Sequence, residues 1–181
     1  EPLVMAGQGT AALELAERAA RRGCRLDAAL VPCGGGGLIA GCATALTQLV
    51  PGIAVHAAEP AGHDDTGRSL AAGRRIENAP GVRSFCDALL APAPGELTFA
   101  VNSALLAGGV AVTDDEVAEA IRLAFRHLKL VIEPGGAVAL AAALAGRIAT
   151  QGRNTAVLVS GGNVDAELFA RIVAGPGFTG S

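Results

Sequence analysis

The chain has 181 residues, of which 51% are apolar and 25 are glycine, with 17% charged and a formal net charge of −3. So apolar a composition excludes disorder, a collagen-like repeat and a highly charged binding tail. With 14 basic against 17 acidic residues, no Trp and no Tyr, it also lacks the basic, aromatic-bearing surface that nucleic acid requires.

The elements follow in chain order. Residues 10–22 read as a helix, with Leu13, Ala16 and Ala20 on one face and Glu14→Arg18 and Glu17→Arg21 pairs at helical spacing. Residues 27–33 form a short apolar run ending in glycines, a buried strand. A helix is expected over 38–50, stopped by Pro51-Gly52, and a second strand over 53–58. Residues 60–98 form a loop-rich excursion punctuated by Pro80, Pro92, Pro94 and Gly95, with one short helix from Asp65 or Thr66 to Ala72. A strand over 109–112 precedes Thr113 and Glu116, the two ends of a capping box. Apolar residues at helical spacing continue to Leu128. Further helices are expected over 136–147 and 166–173, and a strand over 155–159 lies between them. No repeat of fixed period is present.

No formal charge falls between Asp27 and Glu59, but Pro32, the glycine run and Pro51-Gly52 break that stretch, so no span of ~20 apolar residues survives. Strands this free of charge are buried on both faces. The pattern predicts an α/β fold of three layers, a mostly parallel sheet with helices on both faces. Cys24, Cys33, Cys42 and Cys86 show no metal-type spacing and read as buried free thiols of a reducing, cytoplasmic compartment.

In parallel sheets ligands bind beyond the carboxyl ends of the strands, and the unusual segments lie there. Pro32-Cys33 leads into Gly34, Gly35, Gly36 and Gly37 between a strand and a helix. Such a loop lets backbone N–H groups converge at the positive end of the helix, a phosphate cradle that is neither a Walker loop nor G-x-G-x-x-G. Ser160-Gly161-Gly162-Asn163 closes the last strand. It is either a plain turn or a hydroxyl presented to a ligand nitrogen. Glu59 and Asp65, around a turn that includes His63, either supply oxygen ligands to Mg2+ or Ca2+, or serve as surface charge and helix cap. His56 and His127 have no ligating partner at suitable spacing.

Taken together, Ala6 to Thr10, Pro32 to Gly41, Ala58-Glu59-Pro60, Lys129 to Pro134 and Ser160 to Asn163 resemble, in order, the C-terminal part of the threonine dehydratases and serine racemases. These are fold-type-II enzymes that use pyridoxal 5′-phosphate (PLP). The resemblance implies that Gly34 to Gly37 hold the cofactor phosphate and that Ser160 meets the pyridine nitrogen. It also places Glu133 near the ring, and Glu59, the His63 carbonyl and Asp65 on a divalent cation (Mg2+, Mn2+ or Ca2+). The implied reaction is β-elimination of water from a hydroxy amino acid, threonine or serine, followed by hydrolytic deamination to a 2-oxo acid, by a homodimer or homotetramer, with serine racemisation or hydroxyaspartate ammonia-lyase activity as the related alternatives.

One departure is decisive. The family forms a Schiff base through a lysine in a Ser-Phe-Lys-type motif, and Lys129 is the only lysine here. It falls where the family has a structural lysine. The expectation is therefore a C-terminal half, residues 1–174 as a PLP-binding large domain and 175–181 as a tail. The N-terminal half, with the catalytic lysine and the small domain, would be absent and the isolated chain inactive. The alternatives are a non-catalytic phosphate-binding α/β module and a nucleotide-binding domain in which Glu59 meets the ribose.

Overall fold

Strands poor in charge and rich in small apolar residues can pack helices on both sides, and the chain uses them so. The computed structural model describes residues 1–175. Four strands, β1 (Ala28–Pro32), β2 (Ala54–Pro60), β3 (Gly108–Val112) and β4 (Thr155–Val157), form one sheet in the order β3-β2-β1-β4. Every pairing is parallel, with Leu30 opposite both His56 and Val157, and Ala58 opposite Val110.

Alternate residues of the central strands point to opposite faces. Ala29, Val31, Val55 and Ala57 pack with Ala12, Ala16, Ile39, Cys42 and Leu46 of helices α1 (Pro2–Arg21) and α2 (Gly37–Leu49). Leu30 and Ala58 face α5 (Asp114–Leu123), α6 (Pro134–Leu144) and α7 (Ala166–Ala174). Two cores, one per face, make the predicted three layers. Helices α3 (Asp65–Ala72) and α4 (Glu96–Leu105) lie in the excursion between β2 and β3.

Several boundaries move, each for a physical reason. Helix α1 starts at Pro2 rather than at residue 10, because Gly7 and Gly9 do not break it. Gly9 and Gly41 let α1 and α2 touch backbone to backbone: a Cβ on Gly9 would lie 2.9 Å from the Gly41 carbonyl oxygen, and one on Gly41 would collide with the Met5 carbonyl. Helix α4 is absent from the sequence reading. It follows Pro92, Pro94 and Gly95, and its hydrophobic pattern is weakened because Asn102 is its buried residue. The capping box of α5 is present, Thr113 Oγ1 accepting from Glu116 N–H (3.2 Å) and Glu116 Oε2 from Thr113 N–H (2.8 Å). Instead of running on to Leu128, α5 widens into a π turn over Ala124–Leu128 that ends at Lys129, at φ 59°. Helix α6 begins at Pro134, which suits a first helical position. Strand β4 stops at Val157, although Leu158 N–H still reaches Leu30 O at 2.9 Å.

Cys33, Cys42 and Cys86 are buried free thiols and Cys24 is half-buried. Burial pushes Cys42 and Cys86 up to about 11 and about 12, so neither is a thiolate at neutral pH. Among the described residues no helix is long and apolar enough to cross a membrane. Of the expected 175–181 tail only Gly175 lies within the described residues.

Candidate functional site

Strand order locates the site. From β1 the chain steps to β2 and β3 on one side, then returns to place β4 on the other side of β1. The reversal opens a crevice between the carboxyl ends of β1 and β4, the point where doubly wound sheets bind their ligands. The Gly34–Gly37 loop follows β1 and the Ser160–Asn163 turn follows β4. Both predicted segments therefore flank one crevice.

The glycine loop is open on its ligand side. The N–H groups of residues 34–39 donate to no protein acceptor among the described residues, and α2 has no side-chain cap. A Cβ at Gly35 or Gly37 would meet nothing within 4 Å, whereas one at Gly36 would lie 2.8 Å from Asn102 Nδ2. Gly36 also has φ 86°, a left-handed conformation that glycine adopts without strain. On the far side Gly34 packs on Leu89, as does Gly135 at the start of α6, so the two helix N-termini share one wedge. Unsatisfied N–H groups at a helix mouth fit an anion such as a phosphate ester.

Glu133 is built into the second flank. Its N–H donates to Gly161 O at 3.1 Å and its Oε2 accepts from Asn163 N–H at 3.0 Å. Gly161 lies against the same carboxylate, where a side chain would collide. Glu133 therefore fixes the turn that carries Ser160, and Ser160 itself is exposed. Lys129 lies outside this arrangement. Its Nζ donates to Arg126 O at 2.7 Å, closing the end of the π turn.

The Glu59 segment forms a separate, buried cluster. Glu59 is fully buried, and its two oxygens accept from Thr66 N–H and Gly67 N–H, each at 2.8 Å. It caps α3, a task that one of the two sequence readings gave to Asp65. Gly67 and Gly109 let α3 and β3 approach closely enough for this contact. Burial pushes Glu59 up to about 7 against the pull of the Gly67 and Thr66 N–H groups. Asp65 Oδ1 accepts from Asn78 Nδ2 at 2.6 Å while its buried Oδ2 has no partner. Burial raises its carboxyl as well. His63 is buried beside them, with Nε2 3.3 Å from Val82 O. Among the described residues no three His, Cys, Asp or Glu side chains gather as a metal cluster, so a cation here would need carbonyls or water to complete its shell.

Sequence reasoning missed Thr98, Asn102, Leu89 and Asn78, which hold these segments in place. Only the first two had a readable signal: Gly95 followed by Glu96 marks a helix start.

A parallel α/β sheet with an anion-receptive loop at its switch point defines a class of phosphate-gripping cofactor proteins. The family model described as "Pyridoxal-phosphate dependent enzyme" matches residues 1–161, and the chain belongs to that family. It is 40% identical over 173 residues to a serine racemase of Dictyostelium discoideum, covering 94% of this chain and 52% of that protein. It is also 40% identical over 168 residues to a beta-hydroxyaspartate dehydratase of Paracoccus denitrificans, covering 92% and 51%. Among solved structures, a T.th. threonine deaminase superposes with a TM-score of 0.86 at 44% identity, covering 91% of this chain and 60% of that one. The chain thus spans about half the length of the curated relatives it matches.

Proposed function

We propose that this chain is the cofactor-gripping half of a PLP-dependent ammonia-lyase that converts a hydroxy amino acid, threonine or serine, to a 2-oxo acid. The observation that carries the reading is the crevice between β1 and β4, with open N–H groups on one side and the Ser160 turn on the other. When bound, the cofactor draws electrons from the substrate α-carbon, so that the α-proton is lost and the β-hydroxyl leaves as water.

The residues of this chain bind and orient. Gly34 to Gly37 and the start of α2 receive the phosphate. Ser160 meets the pyridine nitrogen as a neutral hydroxyl, which does not favour a protonated ring. Glu133 keeps the Ser160 turn at its distance from the loop. Glu59, the His63 carbonyl and Asp65 would take a divalent cation, and the unpartnered Asp65 Oδ2 is the group that such an ion would satisfy. None of these moves the α-proton. That task needs a lysine, and Lys129 is held at the π turn. In this reading the lysine, the small domain and the substrate side-chain contacts come from the other half of the protein, in a homodimer or homotetramer of the cytoplasm. Racemisation of serine is the second reading, favoured by the 40% identity with a serine racemase.

Equilibrium dialysis against PLP, pyridoxal and ATP tests the binding claim, with PLP expected to bind best. Borohydride reduction in the presence of PLP followed by mass spectrometry is expected to leave Lys129 unmodified. A pyridoxyl group on Lys129, or ammonia release by the chain alone, would overturn the assignment.

A further inference from the structure

The glycine loop has a fastened side as well as an open one. Thr98 Oγ1 donates to the Gly35 carbonyl at 2.7 Å, and Gly95 N–H reaches the same oxygen at 3.4 Å. The Gly36 carbonyl accepts from Ala40 N–H at 3.0 Å and, at a longer 3.5 Å, from Asn102 Nδ2. Thr98 and Asn102 both belong to α4. In a trans peptide the C=O and N–H bonds point in opposite directions, and the described residues contain no cis bond. Holding the Gly35 carbonyl on α4, and the Gly36 carbonyl between α2 and Asn102 of α4, therefore turns the N–H groups of Gly36 and Gly37 the other way.

This orientation does not come from the glycines themselves. A glycine peptide plane turns over at little steric cost, and a reversed plane presents a carbonyl oxygen to an anion and repels it. Asn102 adds a second indication. It is fully buried and its Oδ1 has no partner, an arrangement that costs stability and that an aliphatic side chain would avoid. A residue that weakens the fold while touching the loop is explained if the loop needs it.

We infer that Thr98 and Asn102 are positioning residues: α4 clamps the Gly35–Gly36 and Gly36–Gly37 peptide planes with their N–H groups facing a phosphate ester. This rests on the phosphate-binding reading of the loop proposed above. Neither side chain touches the cofactor; both act through glycine carbonyls.

The test compares the affinity of the chain for PLP with that for pyridoxal, which lacks the phosphate, by equilibrium dialysis, alongside thermal melts. In Thr98→Val the PLP-to-pyridoxal affinity ratio falls about five- to tenfold, the worth of one hydrogen bond. Thr98→Ser, which keeps the hydroxyl, restores the ratio. In Asn102→Leu the ratio falls while the melting temperature rises, opposite movements that a purely structural role does not produce. Should Thr98→Val fail to fold, Asn102→Leu decides alone. A ratio unchanged in the folded variants overturns the clamp. Equal affinity of the wild type for the two ligands overturns instead the phosphate reading of the loop.

Discussion

Two helices begin just beyond neighbouring strands of the same sheet, yet the chain treats their N-termini in opposite ways. At α3 the N–H groups of Thr66 and Gly67 are taken by the fully buried carboxylate of Glu59. At α2 the corresponding groups have no protein acceptor among the described residues, and Gly34 to Gly37 before and around them carry no side chains. Both ends carry the same dipole and the same orphan donors. The difference teaches that a helix mouth stays available to an external anion when the chain withholds its own from it. Helix α5, closed by the Thr113–Glu116 box, is a third and wholly structural case.

The comparison is sharpened first by removing the internal anion. Glu59→Ala leaves two buried N–H groups and a cavity, and should lower unfolding stability by about 3 kcal/mol in a denaturant titration. Next come two substitutions in the open loop that separate folding from binding. Gly36→Ala forces a side chain into a left-handed backbone against Asn102 and should cost about 2 kcal/mol. Gly37→Ala meets no protein atom. It should leave the melting temperature unchanged or slightly raised while weakening PLP binding at least about tenfold, by blocking the approach to the N–H groups. A Gly37→Ala variant that binds PLP as well as the wild type would break the comparison, because the open mouth would then not be the site.

Smaller effects belong to α5. Thr113→Ala should cost about 1 kcal/mol with no change in ligand affinity. Burial pushes the Glu116 carboxyl up, but the Thr113 N–H and Arg147 outweigh it and hold it below the usual range. Its contribution is therefore present above about pH 4.5 and lost as acid protonates it in the fold. Thermal melts from pH 6 downward should show this loss, of a few tenths of a kcal/mol for so exposed a group, and Glu116→Gln should flatten it.

Much of this is legible in the sequence. The strand–glycine–helix unit and the capping box rest on neighbours close in sequence, where spacing and turn chemistry suffice, whereas the structural role of Lys129 is implied only by the family resemblance. Other features are not. The expected helix over 10–22 leaves out the first turns of α1, because the contact that suits Gly9, with Gly41 of α2, lies more than thirty residues away in sequence. Glu59 read as surface charge or cation ligand because its N–H partners lie beyond a turn, and full burial of a carboxylate has no sequence signature. Helix α4 escaped because its buried position is an asparagine, which satisfies no hydrophobic period.

The sequence by itself determined the alternation of helices and buried strands, the glycine run between a strand and a helix, and the inventory of a single lysine, Lys129. These are properties of local backbone preference and of residue inventory. Only the tertiary structure decided that β4 lies beside β1, opening the crevice between the loop and Ser160. It alone decided that Glu59 closes one helix mouth while the other stays open. Strand order and burial come from packing two apolar faces of one sheet at once, which no stretch of sequence encodes alone.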